Sequence, residues 1–302
     1  MTEKFEIILY HAIGKGIGCT DGFGSFFAAY QYNPHINGMG CVYQEDPPWQ
    51  AIHNKRVIVA DVSWDRATIE KMHEVCSKLV ILDHHATAQD ALRGLSYAFF
   101  DMDRSGALMT WQFFFPDAVV PPLVAYISDA DLWAWKLRNS REISAWLQSH
   151  PQKMELWVEL NNALLSETGK AIAIEQGKAI MRSKEQMINR IAHKAEIVDT
   201  DYGRVAFVNS PVLQSEVGEV LAQQYGMAAI WHLGDGELTF SFRSKNDELD
   251  VSKLALMLGG GGHKQAAGVK IKCKDRAYTA MSETMIRMLL EEAGRKAAGG
   301  KR

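Results

Sequence analysis

The chain has 302 residues, of which 47% are hydrophobic and 23% charged, and this is typical of a globular protein with about two domains. The composition excludes a disordered chain, a coiled coil and a collagen-like fibre. The formal net charge of −3 argues against a protein that grips long duplex DNA by its phosphates. We therefore expect a short or small substrate, or nucleic acid that is held only locally.

The four cysteines, Cys19, Cys41, Cys76 and Cys273, form no CxxC pair, so neither a disulfide framework nor a structural zinc site is predicted. The first residues lack the apolar core of a signal peptide. No apolar run reaches the roughly 18 residues that a membrane span needs. We expect a protein of the reducing cytoplasm that does not bind membranes.

Three short apolar segments, residues 5–9, 57–62 and 79–83, predict strands of a parallel sheet covered by helices. A helix over about 65–77, capped by Ser63, would join the second and third strands in a βαβ unit. Further helices are expected after Gly22–Gly24 and over 105–115 and 123–128. The predicted fold class is α/β, with a parallel-sheet domain over residues 1–165.

Residues 140–193 lack strand signals, and their apolar spacing predicts a long helix of about 170–192 within a linker at 166–193. Residues 194–292 are expected to form a smaller α/β domain, and residues 293–302 a disordered tail. The predicted elements of this domain are strands at 204–209, 228–233, 238–243 and 268–271, a hairpin turn at Asp235-Gly236, a helix from Asp250 or Ser252 to Leu258 that ends at Gly259, and a helix over 275–292.

Acidic and imidazole side chains follow the three strands predicted for the first domain. The residues concerned are His11, Asp61 and the triplet Asp83-His84-His85, with Asp21 at the start of the first helix. The carboxyl ends of parallel strands share one edge of the sheet, and ligand crevices form there. We therefore expect these groups to converge.

Such a cluster needs a countercharge, because crowded carboxylates raise one another's pKa. One or two divalent cations would supply it. Oxygen ligands with some imidazole suit Mn²⁺ or Mg²⁺. Two metals about 3.5–4 Å apart, bridged by a carboxylate, are a common device for hydrolysing phosphoesters.

The ordered motifs resemble those of the DHH phosphoesterase superfamily, which includes nanoRNases and cyclic-dinucleotide phosphodiesterases. They are His11, Asp21-Gly22, Asp61, Asp83-His84-His85 and Gly260-Gly261-Gly262-His263. The C-terminal half resembles the DHH-associated domain, in which a GGGH segment binds substrate. The resemblance covers about residues 5–290.

The resemblance implies that His11 and Asp61 help to hold one metal, with Asp61 also bridging to the other. Asp21, His84 and a downstream aspartate would complete the second metal site. We predict Asp129 for this last ligand, with Asp131 as the competing choice.

Two neighbouring residues are expected to act on the substrate side. Asp83 would orient His84, and His85 would face the substrate phosphate as a charge stabiliser or proton donor. In the second domain, the backbone amides of Gly260, Gly261 and Gly262 can approach a phosphate closely, and His263 and Arg243 would add charge-assisted bonds.

Cys19 departs from the family pattern, because it stands where the first aspartate of an Asp-x-Asp motif is expected. Three interpretations are open: Cys19 itself binds the metal, a water molecule replaces the carboxylate, or the first metal binds weakly. The predicted number of metals is therefore one or two. The glycines at 14, 16 and 18 offer a rival hypothesis, a dinucleotide-binding turn. Asp21 would repel a pyrophosphate there, and a flexible loop over the metal site is the preferred interpretation.

The sequence thus predicts a phosphodiesterase dependent on Mn²⁺, with Mg²⁺ or Co²⁺ as other options. It would hydrolyse short RNA or DNA oligonucleotides, or linear or cyclic dinucleotides, with a metal-activated water. The alternatives are a catalytically weakened nucleotide-binding sensor, and a phosphatase of 3′,5′-bisphosphate nucleotides or of pyrophosphate. The oligomeric state stays open, a homodimer included.

Overall fold

A computed structural model describes residues 4–14, 17–43, 45–200, 203–234, 236–245 and 249–272. The chain divides into two compact units, residues 1–181 and 182–302. The division falls inside the long helix that the sequence predicts as a connector. The elements of the first unit, with the whole of this helix, are β1 (Ile7–Gly14), β2 (Ile17–Gly18), α1 (Thr20–Tyr32), β3 (Asn37–Cys41), α2 (Trp49–Ile52), β4 (Arg56–Ala60), α3 (Arg66–Val75), β5 (Lys78–Asp83), α4 (Ala86–Ala91), β6 (Ala98–Phe100), α5 (Gly106–Phe114), α6 (Pro122–Asp131), α7 (Ser140–Gln148), α8 (Met154–Leu165) and α9 (Glu167–Ala192).

Five strands of the first unit form a parallel sheet in the order β3-β1-β4-β5-β6, and β2 adds to β1 as an antiparallel hairpin. After β3 the chain crosses to the other side of β1 and builds the sheet outward from β4. The carboxyl ends of β1 and β4 therefore flank a topological switch point, which is where doubly wound sheets open a ligand crevice.

The apolar segments form strands because both sheet faces are covered. Ile8, Ile58 and Val80 pack on one side, and Leu9, Val59 and Ile81 on the other. All six are buried. The predicted α/β class is confirmed, since continuous apolar strands need helices on both faces.

One local prediction for this unit is wrong. Asp65, not Ser63, caps α3, because its carboxylate accepts the Thr68 amide at 3.0 Å. The hydroxyl of Ser63 instead donates to Asp83 at 2.5 Å. Gly14 pairs with Ile17 across the β1–β2 hairpin, and the loop predicted at these glycines falls partly on residues outside the described ranges.

The second unit is built on a six-stranded sheet in the order β11-β12-β10-β9-β8-β7. Its elements are β7 (Glu196–Thr200), β8 (Gly203–Asn209), α10 (Gln214–Tyr225), β9 (Met227–Gly234), β10 (Glu237–Ser244), α11 (Val251–Met257), β11 (Gly261–His263) and β12 (Ala266–Lys272). Asp250 caps α11 through the Ser252 amide, as one of the two predicted options.

The sequence did not predict α10, β7 or β11. The predicted helix over 275–292 and the tail lie outside the described residues. Within the described ranges, no helix is both long and apolar enough to cross a lipid bilayer.

Candidate metal centre and substrate-binding face

The predicted side chains of the first unit do converge at the switch point. His84 Nε2 lies 3.2 Å from Asp61 Oδ1, 3.4 Å from Asp131 Oδ2 and 3.9 Å from Asp21 Oδ2. On the other side of Asp61, its Oδ2 lies 3.6 Å from His11 Nδ1. The cluster thus joins strands β1, β4 and β5 with helices α1 and α6, and Asp61 is at its centre.

Asp61 follows β4 in a left-handed backbone conformation, with φ of +61°. Few residue types other than glycine accept this conformation, and aspartate and asparagine are among them. The Asp61 amide still donates to the Leu82 carbonyl at 3.0 Å, so the strand pairing continues past the turn. The turn directs a buried carboxylate, 2% exposed, into the crevice beside His11.

Asp21 is held at the start of two helices. It lies in the first turn of α1, and its carboxylate accepts the Gly106 amide at 2.6 Å and the Ala107 amide at 3.1 Å, both from the first turn of α5. Helix N-termini favour negative charge. This explains how a fully buried carboxylate is placed beside Asp61.

Gly106 makes this approach possible. A Cβ at this position would lie 2.6 Å from Asp61 Cβ and 3.0 Å from Asp21 Oδ2. Only the absence of a side chain lets α5 come so close to the two carboxylates. Gly106 was not predicted as a site residue, because a single glycine after a serine gives no signal of its tertiary contacts.

Gly106→Ala is therefore expected to push α5 away from Asp21 and to destabilise the protein by about 1–3 kcal/mol, as overpacking commonly does. The melting temperature and the affinity for divalent cations should both fall. Gly14→Ala is the matched control, because a Cβ there meets nothing within 4 Å. A Gly106→Ala protein with unchanged melting and cation affinity would contradict this account.

The Asp83-His84-His85 triplet is organised by its first member. Asp83 Oδ1 accepts the backbone amides of His84 at 2.7 Å and His85 at 3.2 Å, and also His85 Nδ1 at 2.7 Å. Asp83 therefore fixes the main chain of His84 and the ring of His85. Burial raises the pKa of Asp83, but His85 more than offsets this and keeps it below its usual value.

The cluster carries excess negative charge. Burial lowers the pKa of His84, but the facing carboxylates, led by Asp61, raise it to about 10. Burial, with the carboxylates of Asp131 and Asp61, holds the pKa of Asp21 well above its usual value. Burial alone would raise the pKa of Asp61, but its two histidine neighbours bring it below the usual value.

Asp131, not the predicted Asp129, faces the cluster. Asp129 turns away, and its carboxylate accepts the backbone amides of Lys136 at 2.8 Å and Leu137 at 3.1 Å. Residues two apart on a helix point about 200° apart, so only one of the two can face the crevice. Asp131 Oδ2 lies near His84 and within reach of a common ion with Asp21.

Two residues around His11 complete the edge of the cluster. Cys19 lies just before α1, and its Sγ belongs to a group of possible metal donors with His11 and Asp61, all within 4.8 Å of one another. The ring of Tyr43 lies 4.7 Å from that of His11, and its hydroxyl is 3.4 Å from His85 Nε2. Tyr43 follows an edge strand that was not predicted, so the sequence analysis missed it.

The substrate residues predicted in the second unit share one face of its sheet. Arg243 pairs with Ala266 across β10 and β12, and Ala266 pairs with His263 across β12 and β11. Residues directly opposite one another in a sheet project to the same side. Arg243 and His263 therefore lie in one row, with only the methyl group of Ala266 between them.

The next row of this face carries even smaller side chains, since Ser241 pairs with Gly268 and Gly268 pairs with Gly261. The opposite face carries Phe240, Phe242 and the other apolar residues of the core. Over β10, β11 and β12 the sheet thus has one apolar side and one side of small and polar residues with two basic groups. Over β8 and β9 this second side is apolar and packs against α10.

The GGGH glycines have structural reasons as well. Gly259 has φ of +87° after α11, as predicted for a helix end. A Cβ on Gly260 would lie 2.1 Å from the Gly268 carbonyl oxygen, and one on Gly262 2.6 Å from Ala267 Cα. Arg243 donates to Ser215 Oγ at 2.7 Å and to Ser241 Oγ at 3.0 Å, and burial lowers its pKa to about 10.

The first-unit cluster fits a divalent cation. The single Nε2 of His84 faces three carboxylates, far more acceptors than its one proton can serve. Asp61 Oδ2 is buried and has no hydrogen-bond partner among the described residues. Carboxylate and imidazole donors at this spacing are those that Mn²⁺ and related ions take.

Comparison with known proteins agrees with this architecture. Residues 202–291 match the DHHA1 domain family. An uncharacterised protein of Acanthamoeba polyphaga mimivirus is 29% identical, over 88% of this chain and 68% of the viral protein.

Solved structures match this chain at low sequence identity, and RecJ shares its fold. RecJ of Thermus thermophilus, solved with Mn²⁺, matches with a TM-score of 0.50 and 14% identity, over 96% of this chain and 52% of RecJ. This chain thus spans about half of RecJ. PggH, a pGpG-specific phosphodiesterase of Vibrio cholerae, has a TM-score of 0.48 and 11% identity, over 95% of this chain and 99% of PggH.

The first unit is thus a doubly wound domain with an acidic, histidine-containing crevice, and the second is a separate antiparallel-rich domain. The predicted resemblance is confirmed for the C-terminal domain, where residues 202–291 match the DHHA1 domain family. Beyond that domain, the likeness to RecJ shows a shared fold.

Proposed function

We propose that this protein is a metal-dependent phosphodiesterase that hydrolyses short oligonucleotides or linear or cyclic dinucleotides. The observation that carries the proposal is the gathering of three carboxylates around His84, with His11 on the far side of Asp61. The match of residues 202–291 to the DHHA1 domain family supports phosphoester hydrolysis as the reaction class.

The proposed ligands fall into two overlapping sets that share Asp61. Asp21, His84 and Asp131 form one set, and His11 begins the other. Asp131 takes the place first assigned to Asp129. When bound, a divalent cation supplies a nucleophilic water at neutral pH and offsets the charge of the phosphate.

His85 is the proposed proton donor to the leaving oxygen. Its Nδ1 bonds to Asp83, so Nε2 is the nitrogen that would carry the transferred proton. Burial lowers the pKa of His85, but Asp83 raises it above its usual value overall, which favours the protonated ring. The same charge would stabilise the phosphate in the transition state.

A nucleotide substrate is supported by aromatic residues that follow Asp131. Trp133 is 38% exposed and lies 5.0 Å from Trp135, whose ring faces the Arg141 guanidinium at 4.4 Å. Both tryptophans have φ near +50°, a strained conformation that persists only where surrounding structure enforces it. An exposed ring backed in this way can stack on a nucleobase.

The small-residue face of the second unit is the proposed binding surface for the anionic part of the substrate. We expect His263→Ala to raise KM for a dinucleotide more than it lowers kcat, because His263 would contact substrate rather than hold the cation. Steady-state kinetics and the metal content of the same sample would check this. His193→Ala, at an exposed histidine, is the control. Loss of metal with unchanged KM would contradict the assignment.

The function itself is tested by a substrate panel: cyclic dinucleotides, linear dinucleotides, short RNA, bisphosphate nucleotides and pyrophosphate, each with Mn²⁺, Mg²⁺ or Co²⁺. We expect hydrolysis of dinucleotides or short RNA that stops with chelator. Full activity in excess EDTA would remove the metal mechanism. Tight nucleotide binding without turnover would favour a sensor, and release of orthophosphate from pyrophosphate alone would favour a pyrophosphatase.

A further inference from the structure

We propose that Cys19 is a metal ligand, and that with His11 and Asp61 it forms a sulfur-containing site that prefers Zn²⁺ or Co²⁺ to Mg²⁺. The inference rests on the proposed function in one respect, the placement of cations at Asp61. It goes beyond that function by assigning a role to the thiol and a different metal preference to each half of the cluster.

The first support is geometric. One donor atom from each of His11, Cys19 and Asp61 lies within 4.8 Å of the others. Bonds to zinc are about 2.0–2.3 Å long, so two ligands of one ion lie at most about 4.6 Å apart. The three donors are therefore already close to the separation that a shared ion would require.

The second support is independent of the cysteine. Asp61 Oδ2 is buried and has no hydrogen-bond partner among the described residues. The ion-pair contact of this oxygen with His11 Nδ1 is 3.6 Å long, too long for a hydrogen bond. Buried carboxylate oxygens are normally satisfied, so an oxygen beside His11 without a hydrogen-bond partner is one that a bound cation would satisfy.

The position of Cys19 also suits ligation rather than packing. It occupies the N-cap position of α1, where serine, threonine or aspartate would cap the helix, yet its side chain makes no capping hydrogen bond. Its thiol is held next to Asp61 by the same turn that places Asp21 two residues later. A short, half-buried side chain in this position is directed into the crevice.

The two halves of the cluster then differ chemically. Asp21, His84 and Asp131 offer two carboxylates and an imidazole, which suit Mn²⁺ or Mg²⁺. His11, Cys19 and Asp61 replace one hard oxygen donor with a soft sulfur. Thiolate ligands favour Zn²⁺ and Co²⁺ over Mg²⁺, so a mixed-metal centre follows.

Cobalt is the probe, because a Co²⁺–thiolate bond gives a near-ultraviolet charge-transfer absorption that oxygen and nitrogen ligands do not give. We expect metal-free full-length protein titrated with Co²⁺ to develop this band, and Cys19→Ser to lose it. A variant with Cys41, Cys76 and Cys273 all replaced by serine is the matched control, and it should keep the band. Cys76→Ser alone serves if the triple variant fails to fold.

Cys19→Asp provides the complementary test. It should bind Co²⁺ without the charge-transfer band, and its preference for Zn²⁺ over Mn²⁺ should fall at least roughly tenfold relative to the native chain. A native protein that binds Co²⁺ with no band, or a Cys19→Ser protein that keeps the band, would overturn the proposal.

These outcomes separate the two proposals. Suppose that the charge-transfer band depends on Cys19 but the protein hydrolyses none of the panel substrates. This result would support the sulfur ligand and refute the proposed phosphodiesterase function. Mn²⁺-dependent hydrolysis by a protein that gives no charge-transfer band would support the phosphodiesterase function and refute the sulfur ligand.

Discussion

Asp61→Asn is expected to lower the turnover of short oligonucleotides about 10³-fold or more and to abolish tight binding of divalent cations. Asp61 is the residue shared by both proposed ligand sets, and it lies between His11 and His84. Asparagine keeps the shape of the side chain and tolerates the left-handed backbone at this position, so the fold should survive. The loss would then come from the missing charge.

Two measurements on the same sample check this result. Turnover is measured with excess Mn²⁺, and thermal unfolding with and without it. The cation should raise the melting temperature of the native protein, because it binds only the folded state. This shift should disappear in the variant.

Asp65→Asn is the matched control for Asp61→Asn. Asp65 caps α3 four residues away, and asparagine is an equally good cap, so activity and cation response should be unchanged. An Asp61→Asn protein that keeps both its turnover and its Mn²⁺-dependent melting shift would refute the metal centre.

His85→Gln is expected to lower kcat by about 10²–10⁴-fold while cation binding is retained. In the structure His85 bonds to Asp83 rather than to the three carboxylates around His84. Its removal should therefore eliminate proton donation and leave the ligands in place. The split between turnover and binding separates a catalytic group from a ligand.

The measurement is single-turnover hydrolysis of a dinucleotide, paired with calorimetric titration of Mn²⁺ into the metal-free protein. His73→Gln is the control, because His73 stacks on Tyr97, with ring centroids 4.1 Å apart, in a different part of the unit. If His85→Gln loses Mn²⁺ binding in proportion to its activity, His85 is a ligand and the assignment is wrong.

Much of the fold was predictable because strand signals in this chain are strong. The segments that form β4 and β5 are apolar on both faces, and only a buried parallel strand satisfies them. By contrast, β3 is the short segment Asn37–Cys41, with two glycines, and it lies at the sheet edge next to β1. Because this segment is short and contains few apolar residues, its sequence does not predict a strand.

The second unit shows a similar contrast. Its β10 alternates buried and half-buried residues and was predicted, whereas β11 consists of two glycines and His263. That segment forms a strand only because β12 is available to pair with it. Pairing between segments is a tertiary property, and no local pattern encodes it.

The local sequence does not distinguish Asp129 from Asp131 as the residue that faces the cluster. Both aspartates lie in the last turn of α6, and their side chains offer a cation the same donor atoms. The loop at 132–139 decides between them, because its amides at Lys136 and Leu137 bind Asp129. The conformation of that loop includes left-handed tryptophans, which sequence propensities disfavour.

By itself, the sequence determined that His11, Asp61 and Asp83 would meet at one edge of a sheet, because apolar strands in parallel order bring their carboxyl ends together. Only the tertiary structure decided which neighbours complete the centre. Gly106 allows α5 to approach the cluster, Asp131 rather than Asp129 faces His84, and Cys19 lies near Asp61. These arrangements depend on close contacts between segments that are far apart in the chain. Such contacts produce no periodic pattern in the local sequence, so they cannot be predicted from it.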